Sequence, residues 1–142
     1  MTRGKFVIIT DKGTFSSLEF NGDMYFKEGH GPEVVERLAR VSNVKDLIKE
    51  VDAFNTKNFH YEVSRLDLTY KASRKNFINF FRTNYYDIWF SDYLYIKNTM
   101  DSDTRITLND GTNYILPPQK ICVIHFGESI STEYKDNGLI KE

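Results

Sequence analysis

Cysteine occurs once in this chain, and proline and alanine three times each. Cys122 alone forms no intramolecular disulfide and no zinc site built on several thiolates, which suits a reducing compartment. No apolar run approaches the ~20 residues that a membrane span requires. The opening segment MTRGKFVIIT carries too short an apolar stretch for a secretory signal. A cytoplasmic protein without membrane association is therefore expected. Charge of either sign is not in excess: 19 basic side chains stand against 20 acidic ones, a formal net of −1. Such a chain has no domain-wide positive field to hold long nucleic acid by counterion release. Metal-ligand spacings of the HxH, HExxH or paired-cysteine kind are missing too, so neither a metal nor a cofactor is expected.

Aromatic residues are plentiful, at 15%. Usage of this kind, rich in Phe, Tyr, Asn, Lys and Ile, follows from an AT-rich genome as readily as from selection for aromatic surfaces. The length suits one domain with a core of its own. One domain over 1–142 is expected, with residues 128–142 as a polar, mobile tail that has few apolar positions to hold it down.

The hydropathy pattern predicts an α+β fold. Residues 4–10 alternate as a strand, Asp11-Lys12-Gly13 turns, and 14–20 returns as the second arm of a hairpin. Pro32 suits the first turn of a helix, which Val34, Val35, Leu38 and Val41 continue at 3.6-residue spacing. Ser42 or Asn43 caps a second helix with Leu47, Ile48, Val51 and Phe54 on one face. Residues 55–72 fit strand or loop: Asn55 to Asn58 look like loop, while Leu66, Leu68 and Tyr70 alternate as a strand would. Ser73 opens a third helix bearing Phe77, Ile78, Phe80 and Phe81. Strands at 93–97, 104–108, 112–116 and 120–126 form a C-terminal meander. Asn109-Asp110-Gly111 is a hairpin turn, and Pro117-Pro118 marks a break. The sheet is thus expected to be antiparallel, made of the N-terminal hairpin and the C-terminal meander, with two to three helices between.

Three places carry candidate chemistry. The loop FNGDMYFKEGHG, residues 20–31, runs from a strand to a helix N-terminus. Gly29-His30-Gly31 would let backbone N–H groups approach an anion, or would simply turn the chain; the spacing matches neither the P-loop nor the dinucleotide fingerprint. Between Arg74 and Asn98, aromatic residues alternate with basic ones, as a nucleobase and its phosphates require; helical spacing of the same rings also fits a core. Cys122 and His125 lie three apart on one strand and so face opposite sides of the sheet, which argues against a thiol–imidazole pair.

The segments RGKFVIIT, EFNGDMY…GHG and SDYLYIKN…NDGTNYILPPQKICVIHFGE resemble, in organisation, phage-encoded Thoeris anti-defence sponges of the first described kind. The resemblance implies a non-enzymatic immune-evasion protein. It would sequester a cyclic ADP-ribose-type or cyclic nucleotide signal uncleaved, as a dimer or larger homo-oligomer. On that reading, ring chemistry assigns Phe81, Tyr86 and Trp89 to adenine. Charge assigns Arg82 and Arg105 to pyrophosphate, and hydrogen-bonding capacity assigns Asp23 and Asn98 to ribose hydroxyls, with Tyr25, His30 and Gly31 completing the ligand site. The alternatives are a protein–protein inhibitor of a host defence enzyme, for which the aromatic cluster would be a hot spot, and a small nucleotide hydrolase using His30 or His60.

Overall fold

A computed structural model describes residues 2–17, 19–58, 92–107, 113–125, 129–130 and 138–142. Among them are nine strands and two helices. β1 (Arg3–Thr10) turns into β2 (Gly13–Ser16), giving the N-terminal hairpin that the alternation predicts. The return arm is not continuous. Register slips by one residue between Val7↔Ser16 and the pairing of β1 with β3 (Phe20–Asn21), Gly4↔Phe20. One extra residue is a bulge. Ser17 fills the gap in the ladder: its N–H donates to Phe6 O at 2.8 Å, and its Oγ accepts from Phe6 N at 3.0 Å.

α1 (Gly31–Ala39) begins with Pro32 in its first turn and buries Val34 and Leu38. α2 (Val44–Asn58) buries Leu47, Val51 and Phe54. Its N-terminus is closed reciprocally: Asn43 Oδ1 accepts from Asp46 N at 2.8 Å, and Asp46 Oδ2 accepts from Ser42 N at 3.0 Å, the capping-box logic with short side chains. The helix continues through Asn55–Asn58, where a loop is expected from the sequence. Asparagine is a weak helix former, and three turns of packed helix override that weak preference. The expected third helix and the rest of the ambiguous stretch 55–72, from residue 59 on, lie outside the described residues.

Glu50 joins the two helices. Its Oε1 accepts from Arg40 Nη2 at 3.0 Å and from Arg37 Nη1 at 3.1 Å. The hydrogen bond from Arg40 holds the Glu50 carboxyl below its ordinary value, against the opposing effect of desolvation, and Arg37 adds to it. A depressed carboxylate contributes stability above its unfolded value near 4.5, and that contribution is lost as pH falls through the folded value. Glu50→Gln should therefore lower stability at pH 7 by about 1 kcal/mol. It should also flatten the pH dependence of unfolding below about pH 4.5, as urea titrations at pH 3, 4, 5 and 7 would show. Parallel slopes for variant and parent across that range would refute the assignment.

The remaining strands are β4 (Tyr93–Asn98), β5 (Thr104–Thr107), β6 (Asn113–Leu116), β7 (Ile121–His125), β8 (Ser129–Ile130) and β9 (Ile140–Lys141). The main sheet runs β2-β1-β4-β7-β8, with β3 also on β1; β5-β6-β9 form a smaller sheet. The fold is α+β and mostly antiparallel, with the N-terminal hairpin and the C-terminal strands as expected. At its centre, however, β1 and β4 are parallel, from Gly4↔Tyr93 to Ile9↔Asn98. The hairpin β5–β6 leaves the main sheet, so β4 lies directly beside β7. The polar tail contributes to both sheets, through β8 on β7 and β9 on β6.

Phe6, Phe20 and Phe54 form the aromatic centre of the core, with ring centroids 4.9 to 5.8 Å apart. Tyr95 is fully buried, and its hydroxyl donates to Met24 O at 2.5 Å, meeting the need of a buried phenol for a partner. Cys122 is fully buried opposite Ile96, and burial pushes its thiol well above the ordinary value. His125 is paired with Tyr93 instead and stacks on its ring at 4.6 Å.

Candidate functional site: a cleft at the carboxyl ends of a parallel strand pair

Parallel neighbours bring two carboxyl ends to one edge of a sheet. The chain must leave both there, and the diverging connections open a crevice. Here the strands are β1 and β4. A cleft of ≈ 770 Å³ lies at their ends. The turn after β1 contributes Thr10, Asp11 and Lys12; the start of α2 contributes Ser42, Asn43, Val44 and Lys45; the loop after β4 contributes Thr99 to Ser102; Phe15 lies at the base.

Hydrogen bonds hold these walls in place. Thr10 Oγ1 donates to Gly13 O at 2.9 Å and accepts from Lys12 N at 3.1 Å. Thr99 donates to Ile9 O through both N–H and Oγ1 at 2.9 Å. Gln119 Nε2 reaches across to Thr99 O and Met100 O, at 3.1 and 3.2 Å. Lys97 is buried beneath the α1–α2 junction, where its ammonium donates to Val41 O at 2.6 Å and Ala39 O at 3.1 Å. Desolvation lowers its pKa, partly offset by Asp46. Lys97 thus ties the segment just ahead of Ser42, a cleft residue, to β4.

Among the described residues, no ion pair engages Lys12 or Lys45, and both are exposed at the rim. The first-turn N–H groups of Val44 and Lys45 have no acceptor within their helix. Donors of this kind suit phosphate oxygens. Asp11, Asp101 and the hydroxyls of Ser42 and Ser102 can take sugar hydroxyls.

The site residues expected from sequence do not converge here. Asp23, Tyr25 and His30 share the loop that leads into Gly31, the first residue of α1, at the opposite end of β4, where the Tyr25 ring meets Tyr93 edge-on at 5.9 Å. Tyr93 and Asn98 are the two ends of β4, about 17 Å apart at strand rise. Asn98 itself is fully buried. Its Nδ2 donates to Ser102 O and Leu116 O, each at 2.9 Å, and its Oδ1 accepts from Met100 N at 2.9 Å. A ribose-facing role is thereby replaced by a structural one: Asn98 fastens the loop that forms one wall of the cleft.

The His30 and Gly31 amides are not open to an anion either. His30 N donates to Asp23 O at 2.7 Å and Gly31 N to Tyr25 O at 3.1 Å. The His30 ring packs edge-on against Phe54 at 5.6 Å. Arg105 is on β5 in the smaller sheet, paired with Glu142 at 2.6 Å. Phe81, Arg82, Tyr86 and Trp89, like His60, lie outside the described residues.

The cleft residues carry no motif that sequence reading could seize on. Short polar side chains after strands are what any turn contains, and only the parallel pairing of β1 with β4 makes these particular turns neighbours. Among the described residues, no group of three or more His, Cys, Asp or Glu is placed to hold a metal ion, and no helix is long and apolar enough to cross a membrane. No protein-family model, curated protein or solved structure matches the chain.

Proposed function

We propose that this protein binds a small phosphate- and ribose-bearing ligand, of the cyclic ADP-ribose or cyclic nucleotide type, and holds it without cleaving it. The observation that carries this reading is the braced cleft at the carboxyl ends of β1 and β4, with Lys12 and Lys45 at its rim. Two lysines and a helix start provide for the phosphates, and carboxylates and hydroxyls beside them provide for the sugar. A ligand of this size needs no domain-wide positive field, in keeping with the net charge of −1. Sequestration in place of turnover, and a role in phage immune evasion, follow from the sponge resemblance. Binding of the uncleaved signal would lower its free concentration in the host cytoplasm.

Titration calorimetry with cyclic ADP-ribose, ADP-ribose and a cyclic dinucleotide tests the binding, followed by heat release and chromatography of the ligand. Intact ligand is the expected product; cleaved ligand would refute sequestration. Lys12→Glu and Lys45→Glu should each weaken binding roughly tenfold, the effect of one charge-assisted contact, with the thermal midpoint unchanged. Full affinity in both variants would remove the ligand from this cleft.

A further inference from the structure

Among the described residues, strand β9 is held to the smaller sheet by a short ladder. Its ladder with β6 has two residue pairs, Tyr114↔Lys141 and Ile115↔Ile140, extended by the Glu142 N–H donating to Asn113 O at 3.1 Å. Both strand residues are exposed, Ile140 at 58%. Leu139 is the residue of this segment that reaches the core. The ion pair from Arg105 Nη2 to Glu142 Oε1, at 2.6 Å, is itself exposed, where solvent screens it. Beneath β9, however, lies a sheet edge that needs a cover. Tyr114 and Ile115 are half-buried, and an uncovered β6 would present its N–H and C=O groups to any extended chain.

We infer that residues 138–142 form an exchangeable strand, and that the β6 edge of one copy accepts this segment from a second copy of the same chain. The complement to the β6 edge is already written into the molecule. Register, the Asn113–Glu142 backbone bond and the charge match between Arg105 and Glu142 are reproduced unchanged when the strand comes from a partner. Exchange therefore keeps these contacts, and protein concentration sets the balance between the closed monomer and a reciprocal dimer. A foreign peptide would have to match the same register and charges independently. This inference does not depend on the ligand reading.

The geometry supplies a clean test. Asn113 and Glu142 form a hydrogen-bonded position of the antiparallel ladder, so Tyr114↔Lys141 is the adjacent non-hydrogen-bonded pair. At such positions the strands come closest, with Cα atoms about 4.5 Å apart, a spacing that a disulfide spans. Full-length Tyr114→Cys and Lys141→Cys variants are mixed over a range of concentrations, incubated, and oxidised. The expected product is a disulfide-linked heterodimer at twice the 16.7 kDa chain mass, rising with protein concentration. Ile115→Cys with Ile140→Cys serves as a second pair should the Tyr114 variant fold poorly. The parent chain, whose lone thiol is buried, is the control. Only monomer in both mixtures overturns the proposal. So does a homodimer of the Tyr114→Cys chain by itself, which would place two β6 edges against each other.

Discussion

Asn98→Ala is expected to destabilise the protein by about 3 kcal/mol, since an unmatched buried polar group costs about 1–3 kcal/mol and several are left behind. The substitution strips partners from Ser102 O, Leu116 O and Met100 N at once. Leu116 is fully buried, so water does not readily replace the lost donor there. For a chain of this length the thermal midpoint should fall by roughly 10 °C. Asn98→Asp should do no better. A carboxylate still accepts from Met100 N, but it has lost both donors and faces two carbonyl oxygens. Ligand affinity in the cleft should fall along with stability, because the wall from Thr99 to Ser102 is fastened through this side chain. Urea unfolding of both variants checks the claim. A loss below about 1 kcal/mol, within the range of an ordinary surface change, would show that the amide is dispensable.

Gly31→Ala should be of similar size, for a steric reason. A Cβ at Gly31 would fall inside van der Waals contact of the Phe26 backbone, 2.7 Å from its O and closer still to its Cα. At Gly29 an added Cβ would meet Asp23 O and lie 2.8 Å from Tyr25 O. Backbone on backbone leaves no flexible side-chain end to swing away. The loop must open or α1 must shift. Overpacking of this kind costs about 1–3 kcal/mol, and rigid neighbours put the expectation at the upper end. The hydrogen bonds His30 N to Asp23 O and Gly31 N to Tyr25 O would be lost along with it. Gly29→Ala should behave alike. Hydrogen exchange at the His30 and Gly31 amides is the sensitive measurement: both should be protected in the parent and quick to exchange in either variant. Unchanged protection would mean that the glycines serve some purpose other than close approach. An anion cradle would predict a different pattern, with lost ligand binding and little lost stability.

These two cases show what kind of information sequence held. The loop 20–31 stands out because glycines flank a histidine before a proline, and that pattern does mark a special backbone position. It does not say whether the special approach is to a ligand or to the chain itself. The structure answers with the chain's own Asp23, Tyr25 and Phe26. Asn98 presents the converse problem. As the last residue of an apolar strand it looks like a polar group at a solvent edge, yet the loop after β4, the end of β6 and the turn at 117–120 close over it. Neither burial nor saturation of its amide has any local signature.

Local chemistry by itself marked several of the described elements. Alternation over residues 4–10, the apolar run at 121–124, the Pro32 helix start, the Asn43 cap and the apolar stripe of Leu47, Val51 and Phe54 depend on neighbours within a turn or two. Such neighbours are visible in a linear text. Tertiary structure alone decided which strands became partners. The parallel placement of β4 on β1 joins residues about 90 positions apart, and many strand orders satisfy the same hydrophobic pattern. The cleft is a product of that single pairing, because its walls are turns that become neighbours only when two carboxyl ends lie side by side.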